Sequence, residues 1–176
     1  MKKFIACMLV FVLAMSMVAC GAKDGGAAAA PLEGTMEENV TKIMEKVPVE
    51  FMGGLIPIDL TDTSEDGMWM IQSFTGLDSA EKITDVAAFE PMTGSQAFSL
   101  VMVRVADAAE AKAVAEQMKE NIDPRKWICV GADEVMAAGY SDTVLFIMLD
   151  STLGLEAQSY VDAFAEICGG ELDFTI

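Results

Sequence analysis

The sequence predicts an α+β domain: an antiparallel sheet of about four strands with helices packed on it, in (ββα)-(ββα) order after an N-terminal helix. Three observations carry this reading. Apolar residues recur at helical spacing near 36–47, 111–122 and 157–168. Two pairs of strand-like stretches flank short turns, "MTGS" at 92–95 and "GYSD" at 139–142, which reads as hairpin-linked, antiparallel pairing. In "TVLFIMLD", Val144, Phe146 and Met148 point one way and Leu145, Ile147 and Leu149 the other, so this strand is apolar on both faces and must be central and covered twice.

The elements follow in order. The first helix runs from about Met36 to Lys46, with Met36, Val40, Ile43, Met44 and Val47 on one face. "VPVEFMGGLIPIDL" is broken by prolines and glycines and reads as loop or irregular strand. "TSEDGMWMIQSFTGL" starts a short helix near Ser64 that stops at Gly76, and Asp78 caps a further short turn ending near Val86. "AAFEP" and "QAFSLVMVRVA" form the first strand pair. Asp107, with Glu110 three residues on, opens a helix striped by Ala111, Val114, Ala115, Met118 and Ile122 and stopped by Pro124. "WICVGADEVMAA", which includes Cys129, pairs with "TVLFIMLD". Ala157, Tyr160, Val161, Phe164, Ala165 and Cys168 stripe the last helix, Gly169-Gly170 ends it, and "LDFTI" adds a short terminal strand. Helices 107–122 and 155–168 are expected to share one face of the sheet, and residues 36–76 to fold back over the other as a lid, giving a compact monomer.

The N-terminus indicates a compartment. Lys2 and Lys3 precede an uncharged run from Phe4 to Val18, fifteen residues, too short for a permanent span. Met17, Val18 and Ala19 then lead into Cys20, and "MVAC" resembles the bacterial lipobox. That resemblance implies cleavage before Cys20 and a diacylglyceryl group on its sulfur; two acyl chains hold a protein stably where one does not. An ordinary signal peptide cut after Ala22 is the alternative. The expected organisation is a signal over 1–19, a flexible tether over 20–34, rich in glycine and alanine, and one α+β domain over 35–176.

From Cys20 onward nine basic residues face 28 acidic ones, a side-chain charge of −19. Such a surface repels phosphate backbones and anionic headgroups, which excludes nucleic acid as an expected partner. Histidine is absent from all 176 residues, which removes Ser-His-Asp and Cys-His catalysis and histidine-based zinc sites. Beyond the signal and anchor, Cys129 and Cys168 remain, either a disulfide or two small buried hydrophobes.

Three constellations invite chemistry. Asp62, Ser64, Asp66 and Gly67 match positions 1, 3, 5 and 6 of a calcium loop, but Ser73 stands where position 12 needs a bidentate glutamate; an acidic helix N-terminus is the plainer account, and no metal is expected. Met68, Trp69 and Met70 suggest thioether copper binding, but the methionines are scattered along apolar stripes and read as core. Arg125, Lys126 and Trp127, after Pro124, make the basic-aromatic cluster of the chain: a recognition tip, or a loop whose tryptophan anchors the next strand.

Over residues 64–150 several of these stretches coincide with a known pattern: "FTGLD" at Phe74 to Asp78, Pro91-Met92, "LVMVRVADAAEAKAVAEQM" and "TVLFIML". Together with the lipobox they resemble a family of small bacterial lipoproteins known only as a domain of unknown function. The resemblance implies the fold and the location; it supplies no activity, cofactor or catalytic residue. The expected function is a membrane-anchored, extracytoplasmic, non-enzymatic binding or envelope-interaction module, partnered by the membrane through lipid on Cys20 and by an envelope protein. A small carboxylate-dependent hydrolase and an accessory subunit of a transport system are the alternatives.

Overall fold

The computed structural model describes residues 30–176; the signal stretch and Cys20 lie outside them. Four helices, α1 (Met36–Lys46), α2 (Glu65–Thr75), α3 (Ala111–Asn121) and α4 (Ala157–Cys168), accompany six strands: β1 (Gly53–Ile56), β2 (Ile83–Pro91), β3 (Phe98–Val105), β4 (Glu134–Tyr140), β5 (Thr143–Leu149) and β6 (Phe174–Thr175). The sheet order is β1-β2-β3-β5-β4-β6 and every described pairing is antiparallel. The domain is thus α+β, with six strands rather than about four; the additions are the short edge strands β1 and β6, of four and two residues. They fall in the two stretches read as irregular strand, 47–60, and as a short terminal strand, 172–176.

Helix ends follow the local chemistry. Thr35 and Glu38 close a reciprocal capping box at the start of α1. Ser64 caps α2 through Gly67 N–H at 3.2 Å, and Gly76 ends it in the left-handed region at φ 67°. Asp107 accepts from Ala109 N–H at 3.0 Å and caps a 3₁₀ turn that runs into α3.

The sheet is covered on both faces. Phe98, Leu100, Met102, Leu145, Ile147 and Leu149 form one core with Met36, Val40 and Ile43 of α1 and Tyr160, Val161 and Phe164 of α4. Val101, Val103, Val144, Phe146 and Met148 form the other with Phe74 of α2 and Val114, Ala115 and Met118 of α3. The expectation that both late helices share a face is therefore corrected: each face carries one early and one late helix. The reason is topological. β3 and β4 run parallel with β5 between them, and β5 and β6 run parallel with β4 between them. The connections through α3 and α4 each skip one strand and step the same way across the sheet, but start from strands of opposite direction. One handedness for both crossovers places their helices on opposite faces.

Two boundaries also move. β2 begins at Ile83, where a turn up to Val86 was expected, because a single 3₁₀ turn, Ala80–Lys82, already completes that connection. β4 begins at Glu134, not Trp127, so Cys129 sits exposed in a loop, Cys168 is half-buried on α4, and both are free thiols.

The chain enters this body at one end of the sheet. Leu32, within the stretch read as tether, is buried. The Arg104 guanidinium donates to the carbonyls of Leu32 and Gly34, both at 2.8 Å, and lies 3.3 Å from the Asp142 carboxylate. Asp85 accepts from Met36 N–H at 2.8 Å.

Candidate functional site

At the other end of the sheet, α2, the end of α3 and the turn after it enclose a cleft of about 370 Å³. Trp69, Gln72 and Ser73, at helical spacings of three and four, present one face of α2 to it. The far wall is Asn121, Asp123 and Trp127, and the floor is Glu90, Lys126 and Phe74.

Each wall is held by local bonding. Asn121 donates its side-chain amide to Gly76 O at 2.8 Å, which ties the end of α3 to the end of α2. A Cβ at Gly76 would stand 3.1 Å from Asn121 Cβ and 3.2 Å from Ile122 Cγ1, so the joint needs glycine for space as well as for φ. The turn 123–126 closes with Lys126 N–H on Asp123 O at 3.1 Å and Arg125 N–H on Asp123 Oδ1 at 2.8 Å. Ala132 N–H bonds Pro124 O at 2.8 Å, pinning the far side of the loop.

Lys126 is the electrostatic centre. Its ammonium meets Glu90 Oε1 in a close ion pair, with the two side chains only 19% and 14% exposed. The ammonium also lies 4.5 Å from the Phe74 ring centre, 5.6 Å from that of Trp127 and 3.4 Å from Ser99 Oγ. Lys126 therefore occupies a cage of aromatic faces and one carboxylate, which fixes the loop and removes the free charge from the cleft floor.

The structure gathers stretches far apart in sequence: Phe74 from "FTGLD", Glu90 beside Pro91-Met92, and Lys126-Trp127 from the basic-aromatic cluster. Arg125 is exposed outside the cleft wall. Sequence reading missed Glu90, Gln72 and Asn121. Glu90 sits in register behind Val86 and Ala88 on a core face, and a charged residue in that series needs a partner; that was the available signal.

The calcium-like stretch is otherwise arranged. Hydrogen bonds from Ser64, side chain and backbone, hold the Asp62 carboxyl below the usual range, and its Oδ1 accepts from Ser64 N–H at 2.9 Å. Among the described residues no group of three or more Cys, Asp or Glu is placed to hold a metal. A wider groove of about 800 Å³ runs beside β1 and the start of α1, with Asp59 and Asp85 among its lining and no aromatic side chain. No described helix is long and apolar enough to cross a membrane. No family model matches the chain, and neither a curated protein nor a solved structure matches it.

Proposed function

We propose that the chain is an extracytoplasmic lipoprotein, anchored through Cys20, whose domain is a non-enzymatic binding module with its ligand site in the Trp69–Trp127 cleft. We include in this reading its membership of the small lipoprotein family that its motifs resemble. One observation carries the binding role: the aromatic cleft lies at the opposite end of the sheet from the point where the chain enters the domain. Ser99, beside Lys126, and Arg104, which clamps Leu32, are five residues apart on β3, about 17 Å along the strand. Twelve residues separate Cys20 from Leu32, a reach of at most about 40 Å. A domain tethered at the Arg104 end keeps its cleft clear of the attachment point and open to a ligand.

A binding role is favoured over hydrolysis because the cleft floor holds one carboxylate, Glu90, already paired with Lys126. Asp123 lies at the exposed rim and caps its own turn. Two free carboxylates on either side of a bound substrate are what acid-base hydrolysis requires. The anchoring is tested by fractionation: Cys20→Ala should move the protein from the membrane pellet to the soluble fraction, and a variant that still partitions with detergent like the parent would overturn the lipid reading.

A further inference from the structure

We infer that the Trp69–Trp127 cleft takes a carbohydrate of one or two sugar rings, stacked on Trp69 and hydrogen-bonded by Gln72, Ser73 and Asn121; this rests on the binding reading above.

The charge pattern decides first. Lys126 is the cation among the cleft-lining side chains, and Glu90 neutralises it from within 14% exposed surroundings. What remains charged is Asp123 at the rim, on a chain of net charge −17. A phosphate or carboxylate ligand would find no countercharge and would be repelled. The ligand is uncharged or carries an amino group.

The surface chemistry decides next. Trp69 is 63% exposed, so a large flat apolar face is open to a partner. Around it, the side chains of Gln72 and Ser73 and both indole N–H groups make no hydrogen bond among the described residues. Asn121 spends its amide N–H on Gly76 O and keeps its carbonyl oxygen for a ligand. A purely apolar ligand would bury these donors and acceptors without partners. An added peptide strand would need an open backbone edge, and at Glu90 the backbone is already paired with Gly54. A ligand with a flat C–H face ringed by hydroxyl groups satisfies both halves of the wall, and that is a pyranose. At about 370 Å³ the cleft stands near the small end of ligand sites and admits one or two such rings.

The molecule carries its own probe, because its two tryptophans, Trp69 and Trp127, both line this cleft. The experiment titrates cellobiose, maltose and N,N′-diacetylchitobiose to about 10 mM against intrinsic fluorescence, with tetramethylammonium and inorganic phosphate as charged probes. The expected result is a saturable change with at least one disaccharide, weakened at least about tenfold by Trp69→Ala and to a smaller degree by Gln72→Ala. Trp127 reports in the first variant, and Met52→Ala, on an exposed residue outside the cleft, should leave binding unchanged. A response to tetramethylammonium or phosphate without any to a sugar overturns the carbohydrate inference and leaves the binding role standing. Sugar binding undiminished by Trp69→Ala overturns it as well. No response to any probe overturns both.

Discussion

At the scale of single residues, the structure separates groups that hold the fold from groups left exposed for use. Lys126 belongs to the first kind. Lys126→Met should lower stability by about 2–4 kcal/mol, since it strands the Glu90 carboxylate at 14% exposure. Glu90→Gln should cost less, because Phe74 and Trp127 still face the ammonium; equal losses in urea unfolding would contradict this ordering. Tyr160 is fully buried against Phe98 at a ring-centre distance of 5.3 Å, and its hydroxyl has no hydrogen-bond partner among the described residues. Tyr160→Phe removes that desolvated hydroxyl without opening a cavity and should raise stability by about 1 kcal/mol. Burial pushes the Tyr160 phenol from 10.0 to about 12, and burial, with the Asp173 charge second, pushes the Cys168 thiol from 9.0 to about 12. Both pKa values are raised on folding, so the unfolded chain releases these protons first. Their contribution is complete below pH 9 and is lost between about pH 9 and 12, which a melting series over that range reads directly. The sequence marked Lys126, Trp127 and Phe74 but not the reason they belong together, because the carboxylate that unites them lies 36 positions upstream of Lys126.

At the scale of elements, the apolar stripes located α1, α3 and α4, the Ser64 start and Gly76 stop located α2, and the two-faced pattern of β5 placed it at the centre of the sheet. The stripes were silent on which face each helix takes. That follows from strand order and crossover handedness, and strand order arises from pairings between distant segments such as Phe98 with Leu149. β4 was read seven residues too early because "WICV" has strand-like composition, yet those residues are held by the Pro124–Ala132 loop bond. The α2–α3 joint is the element-level test of the site. Gly76→Ala forces a side chain into the left-handed region and against Asn121 and Ile122. It should destabilise the domain by about 1–2 kcal/mol and alter the tryptophan emission of the cleft. A variant as stable as the parent with unchanged emission would show that the joint does not shape the cleft.

At the scale of the whole molecule, two cores on one sheet make each face dependent on its helices. Removing residues 32–46 strips α1 from Leu100, Met102, Leu145 and Ile147 and leaves α4 as the remaining cover of that core. Each aliphatic side chain exposed forfeits about 1.5–3 kcal/mol, so the truncated chain should aggregate or dimerise; one that stays monomeric and equally stable would contradict the role of α1. The Arg104 clamp on Leu32 and Gly34 sets where the chain enters the domain, and the cleft lies toward the other end of β3, by Ser99 and Lys126. Cys129, exposed two residues from Trp127, marks the cleft end, while the other described cysteine, Cys168, is half-buried with a raised pKa. Labelling of Cys129 by a membrane-impermeant maleimide on intact, right-side-out membrane vesicles tests whether the domain is lipid-anchored on the extracytoplasmic face. Pelleted protein should be labelled completely without detergent, and no labelled protein should appear in the pellet from Cys20→Ala. Labelling that appears only after the vesicles are permeabilised would contradict an anchored domain on the extracytoplasmic face.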